Sequence, residues 1–129
     1  DMRLPIQYAF SYPDRWETRL PALDLAACGP LEFGRPDTVR FPCLALAYRA
    51  LRGSPALPVG LNAANEIAVH AFLDETIPFT AIPDIIEAVL DDIEARGASA
   101  PTSLDDVRAV DAAARELSCR LVREVQSTQ

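Results

Sequence analysis

Prolines divide this chain more sharply than any other residue type, and they restrict what it can fold into. Each proline removes a backbone hydrogen-bond donor and favours extended geometry in the residue before it. Long helices are therefore not expected before about residue 41. Six of the eleven prolines lie within the first 42 residues: Pro5, Pro13, Pro21, Pro30, Pro36 and Pro42.

The first 40 residues are predicted to form one short helix followed by an extended arm with brief strand-like pieces. The helix runs from about Pro5 to Tyr12, because proline is tolerated in a first helical turn and Pro13 stops the helix. Large apolar side chains along the arm indicate that it lies across the surface of another domain. These side chains are Trp16, Leu20, Leu23, Leu25, Leu31 and Phe33.

From Phe41 onward, apolar residues recur at the spacing of amphipathic helices. The first predicted helix begins at Pro42 and is ended by Gly53. The second covers about Ala63 to Leu73 and the third about Ala81 to Arg96. The last begins near Ser103 and runs to the end of the chain. The predicted apolar face of the first helix consists of Leu44, Ala47, Tyr48 and Leu51, and that of the third of Ile82, Ile85, Ile86, Val89, Leu90 and Ile93.

Polar residues and glycine mark the ends of these helices. Thr80 is predicted to cap the third helix, and Gly97 is predicted to close it. Ser103 and Asp106 have the spacing of a capping box, which opens the last helix. The pattern of that helix allows a break at Asp111.

These features predict a mainly α chain, in which an extended proline-rich arm precedes a small antiparallel four-helix bundle. The predicted domains are residues 1–40 and residues 41–129. The bundle is expected to be the independently stable unit. Because the chain opens on Asp1 without an initiator methionine, a fragment or a processed product is favoured over an intact gene product.

Charge and cysteine usage exclude several classes of function. The net charge of -7 at pH 7 disfavours nucleic acid and anionic membranes as partners, because no basic stripe exists to displace phosphate counterions. The three cysteines, Cys28, Cys43 and Cys119, are far apart, which argues for reduced thiols in a cytosol. Cys43 and Cys119 are predicted to be buried and inert. No apolar run approaches the length that spans a bilayer.

The segment LNAANE, residues 61–66, is the most distinctive polar motif. Asn62, Asn65 and Glu66 could face a ligand, but a structural role is favoured. Asn62 can accept a backbone N–H as the N-cap of a helix, and Glu66 would then lie in the first turn, where the helix dipole favours a carboxylate. The neighbouring alanines would let another helix approach closely.

No residue pattern predicts a metal site. His70 is the only histidine, and with Glu66 it is expected to form a surface ion pair at i, i+4 spacing. The acidic residues Asp91, Asp92 and Glu94, and likewise Asp105 and Asp106, fall outside the apolar stripes and are interpreted as solvated helix faces. No glycine-rich nucleotide loop or nucleophile motif occurs.

Seven segments in order along the chain resemble the C-terminal third of the 1-deoxy-D-xylulose 5-phosphate reductoisomerase family. They are DMRLPIQYA, SYPDR, FPCLALAY, LNAANEIAV, AFLD, IPDIIEAVL and VDAAARE. The resemblance implies that residues 1–40 are the end of a catalytic domain with a linker, and that residues 41–129 are the C-terminal helical domain. It also implies a cytoplasmic homodimer that works in non-mevalonate isoprenoid biosynthesis.

The activity that the resemblance implies is conversion of 1-deoxy-D-xylulose 5-phosphate to 2-C-methyl-D-erythritol 4-phosphate. NADPH would supply hydride, and Mg2+ or Mn2+ would polarise the substrate's oxygens. The family's metal ligands and cofactor loop precede Asp1, so no catalytic, cofactor-binding or metal-binding role is carried onto this chain, which is expected to be inactive alone.

The resemblance implies that Met2 alone corresponds to a residue beside the family's pocket, as an apolar wall by the substrate and nicotinamide. The alternative is a structural role, in which Met2 fills the core of a chain that passes the pocket. Asp1 and Arg3 are its neighbours, and no role is assigned to them. The alternative function is a stand-alone helical interaction module without catalysis.

Overall fold

The computed structural model describes residues 2–97 and 100–127, and the chain divides into two compact units, Asp1–Gly34 and Arg35–Gln129. All regular secondary structure in the described residues is helical, which confirms the predicted mainly α class. The brief strand-like pieces expected in the arm do not form in that part of the chain, because no ladder partner lies beside them. The domain boundary predicted at residue 40 stays a prediction.

The first unit contains one helix, α1 (Arg3–Ser11), and an arm without helices. Pro5 lies in the first turn of α1, as predicted, although the helix begins two residues earlier. Tyr12 has an extended backbone with φ of -50° and ψ of 134°, as expected before Pro13. Large apolar side chains along the arm are exposed, among them Trp16, Leu23, Leu25, Leu31 and Phe33.

The second unit is the predicted four-helix bundle, built from α2 (Pro42–Arg52), α3 (Ala56–Leu73), α4 (Ala81–Ala95) and α5 (Leu104–Ser127). The central helix α3 packs against the three others, and α4 also packs against α2 and α5. Gly60 in the second turn of α3 lies against Ile93 near the end of α4, so these two helices run antiparallel. Among the described residues, no helix is both long enough and apolar enough to cross a membrane.

The core of the bundle is centred on α4, whose predicted apolar stripe is buried throughout. Leu90 and Val89 are completely buried and meet Leu57 and the small residues of α3 within one hydrophobic cluster. Gly97 follows α4 with a φ of 59°, the left-handed conformation that glycine adopts without steric cost. The predicted end of this helix is therefore confirmed, but Thr80 makes no side-chain capping bond at its start, so that prediction was wrong.

Helix α2 turns a different face to the core from the predicted one. Leu46 and Ala50 are its buried residues. The predicted face, formed by Leu44, Ala47, Tyr48 and Leu51, is exposed. The prediction was wrong because α2 carries apolar residues on both sides, so spacing alone does not select the side that meets α3 and α4.

Helix α3 begins at Ala56, seven residues before the predicted start. Pro58 fits because it lies in the first turn, where a backbone N–H has no partner within the helix. Gly60 has a low helix propensity, but a side chain at this position would meet Ile93. Glycine therefore lets α4 pack closely against α3, and this packing compensates for the low propensity. By local rules, proline and glycine near the start of α3 favour a loop, and tertiary packing overrides that preference.

Helix α5 opens with the predicted capping box. The Asp106 carboxylate accepts the backbone N–H of Ser103 at 3.0 Å, and the Ser103 hydroxyl accepts the backbone N–H of Asp106 at 3.1 Å. The helix then continues through Asp111 without a break. Asp111 accepts a hydrogen bond from Arg115 one turn later, at 2.8 Å, which suits a position inside a helix.

Candidate functional site

The LNAANE segment lies inside α3, and its polar residues are exposed. Asn62 is the seventh residue of the helix, so the prediction that it caps the N-terminus was wrong. Its amide Nδ2 instead donates to Glu66 Oε1 at 3.1 Å. Ala63 and Ala64 are completely buried against the core, as expected for small residues at a close helix contact. The motif therefore presents polar groups outward and small groups inward.

Glu66 joins α3 to α5 through Arg115. The Arg115 guanidinium donates to Glu66 Oε2 at 2.5 Å and to Asp111 Oδ2 at 2.8 Å. The hydrogen bond from Arg115, and secondarily that from Asn62, holds the pKa of Glu66 below its ordinary value. The predicted ion pair with His70 was wrong, because the carboxylate is engaged by a partner from another helix.

A second ion-pair cluster joins α2 to α4. Arg49 donates to Asp91 Oδ1 at 2.6 Å and to Glu94. These hydrogen bonds, the one to Glu94 first, raise the pKa of the guanidinium above its ordinary value. Asp91 and Glu94 remain exposed, and Asp92 pairs with Arg96 at 2.9 Å on the same helix. These acidic residues lie on a solvated face, as predicted. Asp91 and Glu94 join α4 to α2, whereas Asp92 pairs within one turn of its own helix.

The hydrogen bonds of the capping carboxylate Asp106 should make the stability of the start of α5 depend on pH. Hydrogen bonds from the backbone N–H and hydroxyl of Thr102, and then from Ser103, hold its pKa below the ordinary value. Since the folded pKa is lowered, the contribution to stability is fully present above the unfolded pKa of roughly 3.9 and is lost as pH falls through the folded pKa. We expect Asp106→Asn to flatten the fall in unfolding free energy below about pH 4.

Urea unfolding, followed by circular dichroism between pH 2 and pH 7, measures this effect. Asp105→Asn is the matched control, because it removes the neighbouring charge and leaves the capping bonds in place. An identical change in acid dependence in both variants would show that the capping box is not the cause.

Met2, the one residue that the family resemblance implies would lie beside a pocket, lies immediately before α1. It is 73% exposed, and its carbonyl accepts the backbone N–H of Ile6 at 3.3 Å, which ties it to the first turn. Arg3 is the first residue of the helix. Asp1 lies outside the described residues.

The second unit carries an apolar groove that the sequence did not predict. Its volume is about 640 Å³, and Phe41, Val69, Phe79 and Ile82 line it, with Asn65 at its side. Phe79 also packs edge-on against Phe72, with ring centroids 5.5 Å apart. The lining comes from three helices and the chain before α2, so no local sequence signal could reveal it.

The reactive side chains do not converge on a common site. Cys43 is exposed and Cys119 is half-buried, so the prediction that both are buried was wrong. Cys28 and His70 are also exposed. Within residues 2–97 and 100–127, no three His, Cys, Asp or Glu side chains are grouped as the ligands of a metal ion would be.

Residues 1–117 match the family model described as the DXP reductoisomerase C-terminal domain. The chain is similar to the 1-deoxy-D-xylulose 5-phosphate reductoisomerase of Burkholderia multivorans, with 48% identity over 95% of this chain and 30% of that protein. It is 55% identical to the enzyme of the same name from Ralstonia nicotianae, over 89% of this chain and 28% of that protein. The chain thus spans less than a third of the length of these relatives.

Solved structures of such enzymes have the same fold over this region. The Zymomonas mobilis reductoisomerase in complex with NADPH superposes with a TM-score of 0.84 at 42% identity, over 95% of this chain and 32% of that one. A DOX-P reductoisomerase in complex with NADPH, fosmidomycin and magnesium gives a TM-score of 0.88 at 36% identity, over 95% of this chain and 32% of that one.

Proposed function

The chain belongs to the 1-deoxy-D-xylulose 5-phosphate reductoisomerase family, and we propose that it is the C-terminal portion of a longer enzyme with that activity. The longer enzyme would convert 1-deoxy-D-xylulose 5-phosphate to 2-C-methyl-D-erythritol 4-phosphate in isoprenoid biosynthesis. The observation that carries the proposal is 48% identity to a reductoisomerase over 95% of this chain, a likeness that extends through both units.

The role of this portion is structural support. Its conspicuous polar residues are engaged with one another: Glu66 with Arg115, Arg49 with Asp91, and Ser103 with Asp106. Side chains committed to joining or capping helices are poorly placed to bind a substrate. Residues 41–129 would form the helical domain, and residues 1–40 the end of the catalytic domain with its linker.

NADPH and a divalent ion would be bound by the part of the enzyme that precedes this portion. When bound, they supply hydride and polarise the substrate's oxygens. The described residues do not fit either group, because they offer no grouped metal ligands and the sequence has no glycine-rich dinucleotide turn. No step of the reaction is therefore assigned to them.

Met2 is the residue that would reach the active site, as an apolar wall beside the substrate and the nicotinamide. Its exposure of 73% at the start of α1 leaves the side chain available for this contact. The complete enzyme would be a cytoplasmic homodimer, as the family resemblance implies. No observation favours the alternative of a stand-alone helical interaction module.

We expect the isolated 129-residue chain to be catalytically inert. With NADPH, 1-deoxy-D-xylulose 5-phosphate and Mn2+ present, absorbance at 340 nm should stay at the enzyme-free rate. The complete Burkholderia multivorans enzyme, assayed in parallel, should oxidise NADPH. Substrate-dependent oxidation by the isolated chain would refute a purely supporting role.

A further inference from the structure

Gln7 ties α1 to the chain that follows it. Its side-chain Nε2 donates to the backbone carbonyls of Trp16 and Glu17, both at 3.0 Å. A primary amide carries two N–H donors, so one side chain can satisfy two carbonyl oxygens at once. The contact spans nine and ten residues of sequence and lies wholly within the first unit.

Two further contacts hold the same side of α1. The Ser11 hydroxyl, one turn after Gln7, donates to the Asp14 carbonyl at 2.8 Å, and Ser11 is only 5% exposed. The Arg15 guanidinium lies 4.3 Å from the centre of the Tyr8 ring, within the range of a cation–π contact. Residues at these spacings share one face of a helix. The segment after α1 therefore contacts that face of the helix at three points.

These three contacts fix the orientation of α1, and with it the position of its N-terminus within the first unit. Gln7 lies five residues after Met2, which corresponds to a rise of about 7.5 Å along a helix. Because a helix of this length moves as a unit, rotation or tilting at Gln7 would displace Met2. The sequence around Gln7 carries no signal for this role, since the partners are backbone carbonyls.

We propose that Gln7 is a positioning residue of the reductoisomerase, which acts by holding α1 so that Met2 forms the wall of the substrate pocket. This inference rests on the proposed function and on the role proposed there for Met2. Gln7 itself need not touch the substrate or the cofactor.

A double-mutant cycle in the complete enzyme that carries these residues tests the proposal. Gln7→Glu keeps the shape of the side chain and replaces the donor with an oxygen that repels both carbonyls. We expect kcat/KM for 1-deoxy-D-xylulose 5-phosphate to fall roughly 10- to 100-fold, because a misplacement of about 1 Å near a reacting centre can cost on the order of 100-fold. Met2→Ala should also lower it, and the double variant should be no worse than the poorer single variant, because both changes affect one contact.

Gln126→Glu, the same chemical change at an exposed position near the end of α5, is the matched control and should leave kcat/KM unchanged. Gln7→Leu, which lacks donors without adding a charge, replaces Gln7→Glu if the latter fails to fold. Wild-type kinetics in the Gln7 variant, wild-type kinetics in Met2→Ala, or losses that multiply in the double variant would each overturn the inference. Failure of the unmodified enzyme to turn over its substrate would instead refute the proposed function.

Discussion

Leu90→Ala is expected to lower the unfolding free energy of the bundle by about 2–5 kcal/mol. Leu90 lies in the middle of α4 and is completely buried within the hydrophobic cluster that all four bundle helices share. Truncation removes apolar area from the core and leaves a cavity that the surrounding helices fill only in part. A small domain has only about 5–15 kcal/mol of stability, so this single change removes a large share.

Urea unfolding followed by far-ultraviolet circular dichroism measures the loss. Leu73→Ala is the matched control, because Leu73 ends α3 and is 67% exposed. The control should change the unfolding free energy by less than about 0.5 kcal/mol. Equal destabilisation by the two substitutions would mean that the bundle is not packed around α4 as described.

Sequence periodicity predicted the helices best where one face alone is apolar. The third predicted helix, α4, has six large apolar residues at helical spacing and only small or polar residues elsewhere, and both its range and its buried face are confirmed. The spacing of apolar residues did not predict the buried face of α2, since Leu44 and Leu46 face opposite ways and either could have met the core. Only the positions of α3 and α4 decide between them.

The start of α3 was misplaced because local rules were applied to a position that packing determines. Pro58 and Gly60 are ordinary loop residues, and Asn62 is an ordinary helix cap. In the folded chain, Gly60 is inside the helix because Ile93 occupies the space beside it. Because of this error, Asn62 and Glu66 were predicted to lie at the N-terminus of the helix, as a capping residue and a first-turn carboxylate. Both lie in the interior of the helix instead.

The spacing of residues in the sequence could not predict ion pairs between side chains that are far apart along the chain. Glu66 pairs with Arg115, 49 residues later, whereas the sequence offered only His70 one turn away. Ser103 and Asp106, which are close in sequence, were paired correctly. The family resemblance is confirmed, and it was carried by ordered motifs along the whole chain. Composition and periodicity contained no indication of the reaction.

Transplantation into a related enzyme should produce the largest functional effect. The region of the Burkholderia multivorans reductoisomerase that aligns with this chain is 48% identical to it over 122 residues. Deleting that region should abolish activity, because the deletion removes the counterpart of the whole helical bundle and its core. Joining this chain to the truncated enzyme should restore activity, because this chain supplies the bundle core, the capping box of α5 and the ion pairs that join the helices.

The decisive measurement is therefore the rate of NADPH oxidation by this fusion protein. The rate should depend on both 1-deoxy-D-xylulose 5-phosphate and Mg2+, and it should far exceed the rates of the truncated enzyme and of the isolated chain. A fusion carrying Leu90→Ala controls for folding, because it should lose activity in step with its thermal stability. A fusion that melts cooperatively at the temperature of the parent enzyme, and yet oxidises no NADPH, would contradict the assignment of this chain as the C-terminal portion of a reductoisomerase.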